Sequence, residues 1–216
     1  MRYKCLALDY DDTVVRSTEE LHFPSFKKVM KILRPDKEFT LEEFFLMSFD
    51  PGFLPYVREV LKLTDEELEY EQCEWIKDAA KTIPEFYEGM NDILTKFQSN
   101  GGIVTVVSHS MSHSIENNFN SNTTVKLDDV YGWDLGEGKR KPDVYPLKEI
   151  MRKFNLKPDE ILMVDDLKPG YDMAKKCDVD FACAGWSHVV PKIVDFMKNN
   201  SDYYLTSVDQ FRELVL

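Results

Sequence analysis

Four short apolar runs, each closed by a polar residue, set the rhythm of the chain. Leu6-Ala7-Leu8 stops at Asp9, and Ile103-Val104-Thr105-Val106-Val107 stops at Ser108. Ile161-Leu162-Met163-Val164 stops at Asp165-Asp166, and Phe181-Ala182-Cys183-Ala184 stops at Gly185. Runs this short, apolar at successive positions, are expected of strands covered on both faces. Helical spacing fills the intervals: Val144, Leu147, Met151 and Phe154 form one stripe, and residues 170–176 follow the acidic pair. The alternation predicts an α/β fold, a parallel sheet with helices on both faces. Ligands of such sheets bind beyond the carboxyl ends of the strands. The stops at Asp9, Ser108 and Asp165-Asp166 then fall on one edge.

The stretch 17–84 reads differently. It has no run of strand type, but it has three candidate capping boxes: Ser17 with Glu20, Thr40 with Glu43, and Thr64 with Glu67. Phe26, Val29, Met30 and Leu33 form one helical stripe, and Leu68, Trp75, Ile76 and Ala79 another. The expected organisation is an all-helical insert, 17–84, in a core made of 1–16 and 85–216. Crossings between the two are expected near Val14-Ser17 and Pro84-Glu88. Toward the end, Asp202 to Thr206 reads as a further strand, and Ser207 as the cap of a last helix carrying Phe211 and Leu214.

Composition narrows the function. With 43% hydrophobic residues among 216, the chain can fill a sizeable core. A formal net charge of -12 argues against nucleic acid or an anionic membrane as a general partner. An anionic substrate would need a locally positive site. No apolar run has membrane-spanning length, and only four apolar residues precede Asp9 in the opening run, too few for a signal peptide. Cys5, Cys73, Cys177 and Cys183 show no paired spacing, so free thiols in a reducing, cytoplasmic setting are expected.

Asp9-Tyr10-Asp11-Asp12-Thr13 carries the strongest chemical signal. Two carboxylates at i and i+2 on a strand end point to the same side. At about 4 Å they repel by about 4 kcal/mol at an effective dielectric of about 20. Folding gains nothing from that, so the pair is expected to work together with a cation between them. Down the chain follow Ser108, then Lys141-Pro142, then Asp165-Asp166. In this order the motifs resemble those of the haloacid dehalogenase-like hydrolases, in the branch with a helical cap after the first motif. Phosphoglycolate phosphatases and β-phosphoglucomutases belong to that branch. The resemblance covers nearly the full chain. It implies a Rossmann-like core, a magnesium ion (Mg2+) and an aspartyl-phosphate intermediate.

The resemblance assigns roles position by position. Asp9 is implied to be the nucleophile and Asp11 the general acid and base. Ser108 is implied to bind the transferring phosphoryl group, although an isolated serine there would read as a helix cap before Met111 to Phe119. Lys141 is implied to neutralise phosphate oxygens, with Lys139 and Arg140 peripheral and Pro142 opening the next helix. The metal set is Asp9, Asp11 through its backbone carbonyl, Asp166, and Asp165 acting through water. Thr13 is expected to support Asp9 by hydrogen bonding, and Asp12 to serve a turn or cap. His109 is a candidate lining or phosphate-binding residue; His109 and His113 share helical spacing but lack a third ligand for zinc. Asp172 braces the Asp165 loop or lies on a helix surface. Phe44-Phe45-Leu46-Met47 and the 50–53 turn are candidate substrate contacts, with packing inside the insert as the ordinary role.

The resulting expectation is a magnesium-dependent phosphatase acting on a small phosphorylated metabolite. A phosphomutase would use the same Asp9 and Asp11. A dehalogenase would work without metal and without the second aspartate. A phospho-receiver module, or a binding protein that does not turn over, is the alternative from a different class; repeated turnover would exclude the receiver.

Overall fold

The structure is a computed structural model, and it describes residues 2–216. Six parallel strands form the main sheet, in the order β5-β4-β1-β6-β7-β8. They are β1 (Cys5–Leu8), β4 (Ile103–Val107), β5 (Asp129–Tyr131), β6 (Ile161–Asp165), β7 (Asp180–Ala184) and β8 (Tyr203–Leu205). β1 lies between β4 and β6, with Leu8 paired to Val106 on one side and to Val164 on the other. The chain leaves β1 toward β4 on one side and later enters β6 on the other. This is the topological switch point at which ligands of open α/β sheets bind.

Burial explains the continuous apolar runs. Leu6 and Leu8 enter one core with Phe97, Val104, Leu162 and Phe211. Cys5 and Ala7 enter a second core on the opposite face, with Leu147, Met163, Met173 and Phe181. Around the sheet stand α5 (Met90–Ser99), α6 (Ser112–Asn122), α7 (Tyr145–Phe154), α8 (Lys168–Lys176), α9 (Pro191–Asn200) and α10 (Val208–Val215). Ser207 caps α10, its side chain accepting from the Gln210 N–H. Pro142 does not open α7. That helix starts at Tyr145, with Pro146 in its first turn, where a missing N–H costs nothing. β5 was not foreseen, because Asp129-Val130-Tyr131 is too short and too polar to stand out.

The insert is helical and has its own core. A π-helical turn (Thr18–His22) leads into α1 (Phe23–Leu33), followed by α2 (Leu41–Phe49), the short α3 (Phe53–Pro55) with a second π-helical turn (Tyr56–Val60), and α4 (Asp65–Ala79). Phe26, Val29, Met30, Phe44, Met47, Val57, Leu61 and Leu63 pack together. The capping boxes at Thr40 and Thr64 both form. The one expected at Ser17 does not. There the Asp12 carboxylate accepts from the backbone N–H of Ser17 and Thr18, each at 3.3 Å, and the Ser17 hydroxyl is spent elsewhere. Asp12 itself sits at φ +53°, in the left-handed region that Asp tolerates at turns. The two crossings between core and insert pair as a ribbon, β2 (Val15–Arg16) with β3 (Glu85–Phe86).

α2 faces two ways. Phe44 and Met47 enter the insert's core, whereas Phe45 and Phe49 pack on the sheet domain. Phe49 meets Phe196 of α9 edge-to-face with ring centroids at 5.3 Å, and Phe45 lies against His188 at 4.6 Å. The apolar run at residues 44–47 therefore serves both the insert and its attachment. α2 and α4 both face the carboxyl edge of the sheet, and the insert roofs it as a cap.

Candidate active site

Three strand ends supply the centre. Asp9 follows β1, Ser108 follows β4 and Asp165 closes β6. All three are buried, as are Asp166 and Lys141. Lys141 reaches in from the loop before α7. Its Nζ lies 2.7 Å from Asp9 Oδ1 and 2.6 Å from Asp165 Oδ2. The Asp9 Oδ1 also accepts from the Tyr10 N–H at 2.8 Å. The Leu167 N–H donates to Asp165 Oδ1 at 2.8 Å. Gly170 in the first turn of α8 permits this approach, since a Cβ there would stand 2.1 Å from Asp165 Oδ2.

Asp9, Asp165 and Asp166 each bring a carboxylate oxygen within 4.8 Å of the others. Burial and mutual repulsion push all three carboxyls up, Asp9 to about 8 and Asp165 to about 6. The same acids, against the cost of burial, hold the Lys141 ammonium above its usual range. One lysine thus faces three buried acids. Asp166 finds only long contacts, to Ser187 Oγ and His188 Nε2 at 3.5 Å each. A hard divalent cation with oxygen ligands fits this donor set and its excess of negative charge.

The Asp11 carboxylate is not one of the three. It turns toward the cap, and the expected cation between the Asp9 and Asp11 carboxylates gives way to a set of hydrogen bonds. Oδ1 accepts from Ser17 Oγ at 2.8 Å and from His22 Nε2 at 2.7 Å. Oδ2 accepts from Ser110 Oγ at 2.7 Å and from Ser108 Oγ at 3.2 Å. Burial alone would push the Asp11 carboxyl up, but the His22 imidazole and these bonds hold it below the usual range. On the far side of His22, the Trp75 indole N–H donates to Nδ1 at 3.0 Å. An indole N–H can only donate. It fixes the tautomer with the proton on Nε2, directed at Asp11, and favours the neutral ring. Asp11 pulls the imidazole pKa up against the burial that lowers it.

Several expected residues fall differently. Thr13 Oγ1 is buried without a hydrogen-bond partner, so its support of Asp9 by hydrogen bonding is not found; the hydroxyl is folded into the turn beneath the site. Ser108 does not cap α6, which starts four residues later. Its Oγ instead accepts from the Ser110 N–H at 3.0 Å and donates to Asp11. His109 Nε2 donates to the Lys141 carbonyl at 2.8 Å. Burial and the Lys141 charge push its pKa down to about 4, leaving a neutral ring that braces the Lys141 loop. His113 is exposed. Arg140 is not peripheral: its guanidinium stacks on Trp133 at 3.6 Å. Asp172 lies on the surface of α8, accepting from Lys168 one turn earlier at 3.2 Å.

Sequence reading missed Ser17, His22, Trp75 and Ser110. Ser17 reads only as a helix cap and Trp75 only as part of a helical stripe, and His22 and Ser110 stand in no motif. The one visible hint for Ser110 was its position two residues after Ser108, which returns a side chain to the same side of extended chain.

The comparisons with known proteins agree with this architecture. A profile of the family described as haloacid dehalogenase-like hydrolase matches residues 6–184. The chain belongs to the haloacid dehalogenase-like hydrolases. Among solved structures, a predicted phosphoglycolate phosphatase from Haemophilus somnus superposes with a TM-score of 0.80 at 15% identity, covering 100% of this chain and 99% of that one. A predicted phosphatase from Clostridium acetobutylicum gives 0.75 at 17% identity over 100% and 99%. CbbY from Rhodobacter sphaeroides, in complex with xylulose-1,5-bisphosphate, gives 0.69 at 15% identity over 95% and 94%. These likenesses show a shared fold. No curated protein matches the chain. Among the described residues, no helix is long and apolar enough to cross a membrane.

Proposed function

We propose that the protein is a magnesium-dependent phosphatase that hydrolyses a small phosphomonoester through a phosphorylated Asp9. The observation that carries this reading is the cluster of Asp9, Asp165 and Asp166 around Lys141 at the switch point of the sheet. Asp9 and Asp166 would hold the metal directly, with Asp165 beside them tied to Lys141. When bound, a magnesium ion supplies positive charge to the phosphoryl oxygens and offsets the repulsion among the acids.

In the first half-reaction a carboxylate oxygen of Asp9 attacks phosphorus, and the bond from phosphorus to the leaving oxygen breaks. Asp11, ionised as the structure holds it, first takes up a proton from solvent as substrate enters and then gives it to that oxygen. In the second, water attacks the same phosphorus, Asp11 takes a proton from it, and the bond to Asp9 breaks to release inorganic phosphate. Lys141, held against Asp9, presents its charge to the transferring oxygens throughout. The Ser108 and Ser110 hydroxyls and His22 orient the Asp11 carboxylate between the two steps. The cap excludes bulk water from the acyl phosphate. The free thiols Cys5, Cys177 and Cys183, all buried, fit a reducing cytoplasmic setting.

Asp9→Asn keeps the shape and loses the nucleophile. Hydrolysis of p-nitrophenyl phosphate in the presence of magnesium should fall by at least about 10⁴-fold, with an unchanged circular dichroism spectrum. Turnover at the wild-type rate in that variant would remove Asp9 from its role.

A further inference from the structure

The phosphoryl site occupies one end of a cavity of about 590 Å³ that continues under the cap. Pockets of this size hold small metabolites up to a mononucleotide or larger. Its inner walls are rings. Phe26, Phe44 and Phe53 line one side, with centroids 5.3 to 6.1 Å apart. Trp75 of the cap and Trp133 of the sheet domain line another and meet edge-to-face at 6.1 Å. Arg58, Asp65, Glu69, Asp134 and Glu137 line the exposed rim, whereas Arg140, stacked on Trp133, and the half-buried Ser48 and Gln72 are polar groups farther in. Deeper in, Glu71 lies one helical turn before Trp75 and makes no hydrogen bond or ion pair among the described residues. Burial pushes its pKa up to about 7, so it can donate as well as accept near neutrality.

This lining selects among leaving groups. A sugar or a short hydroxy acid presents several hydroxyls or a carboxylate; Ser48, Gln72 and Arg140 can meet some of them, but such a group leaves the ring faces uncovered and its remaining polar atoms against them. A flat ring would fill the same space by stacking and edge-to-face contact. We propose that the alcohol released from the substrate carries a planar aromatic or heteroaromatic ring, seated between the phenylalanine wall and the Trp75–Trp133 pair with a ring N–H or O–H at Glu71. This deepens the phosphatase reading and rests on it.

The test compares primary-alcohol monophosphates, whose leaving groups are of similar reactivity. Pyridoxal 5′-phosphate, riboflavin 5′-phosphate and adenosine 5′-monophosphate are set against glucose 6-phosphate, ribose 5-phosphate and 2-phosphoglycolate. At least one aromatic ester should exceed every non-aromatic one by about 100-fold or more in kcat/KM, chiefly through KM. Phe53→Ala should then cut that preference by about tenfold. A non-aromatic ester as the best substrate, or a preference that Phe53→Ala leaves intact, would overturn the proposal while the phosphatase reading stands. Hydrolysis of none of the six, nor of p-nitrophenyl phosphate, would overturn the phosphatase reading and this inference with it.

Discussion

At the sheet edge, Asp9, Ser108 and Asp165 each continue or close a strand bonded to neighbours on both sides. On the cap, His22 sits in a π-helical turn, and Trp75 on a helix reached across a two-residue ribbon. The first group is locked by the main-chain ladder and by two cores that meet at β1. The second is joined to the sheet domain by separate side-chain contacts. They include His22 to Asp11, Trp75 to Trp133, Phe45 to His188, Phe49 to Phe196 and the exposed pair Arg58 to Glu137. Charge is concentrated where the backbone is fixed, and apolar, replaceable surface lies on the part joined loosely.

The division predicts unequal costs for losing an ion pair on each side. Lys141→Ala leaves three buried carboxyls without their shared cation. Removing one partner of a buried pair costs about 3 to 5 kcal/mol, and urea unfolding at pH 7.5 should show a loss of that size. Arg58→Ala breaks a pair whose side chains are 45% and 59% exposed. Exposed pairs contribute about 0 to 1 kcal/mol, and the same measurement should barely move. Equal losses in the two variants would dissolve the contrast between a strained edge and a lightly attached roof.

A smaller effect is expected where the two regions touch. His22→Ala removes the cap's hold on Asp11 and leaves the sheet intact. Asp11, in its proposed role as general acid and base, then keeps its serine bonds but loses the imidazole, and kcat should fall about 10- to 100-fold with little change in unfolding midpoint. Trp75→Phe keeps a ring but deletes the N–H that favours neutral His22. The imidazole pKa, followed by NMR, should rise, and kcat should fall by less than in His22→Ala. An unchanged kcat in His22→Ala would mean that the cap plays no part in proton transfer.

The same contrast governs what the sequence disclosed. Strand ends were readable because an apolar run on both faces of a sheet must stop where the edge meets water. Asp9, Ser108 and Asp165 stand at those stops. The inserted helices were readable from Thr40 and Thr64, whose capping boxes are local. His22 and Trp75 were not. They lie 53 residues apart, and only the packing of α4 against the π-helical turn and α1 brings them together. Ser17 misled because a capping signature is judged from spacing: its hydroxyl goes to Asp11, and its own N–H, which Glu20 would have taken, goes to Asp12. Arg140 looked solvated because a run of cations shows nothing of the tryptophan it lies over. Residues fixed by their own segment can be read from one dimension; residues fixed by a neighbouring element cannot.

A modest, pH-dependent effect is expected at Glu71, which lines the cavity from the cap and carries no counterion. His22, on the turn packed against α4, is the titratable group that faces it and draws its pKa down slightly against the burial that raises it. In the unfolded chain a glutamate loses its proton near its ordinary value of 4.5, whereas in the folded protein Glu71 keeps it to about 7. Between those values the unfolded state binds fewer protons, so stability falls as pH rises. Below about 4.5 the effect vanishes, and above about 7 it is complete. One pKa unit corresponds to about 1.36 kcal/mol; because the carboxyl faces an open cavity, a cost of about 1 to 2 kcal/mol is expected rather than the full value. Glu71→Gln should therefore match the wild type at pH 4 and exceed it at pH 8 by about 2 to 6 °C in Tm. A gain that is the same at both pH values would assign it to packing, and would show that the roof of the site carries no electrostatic strain of its own.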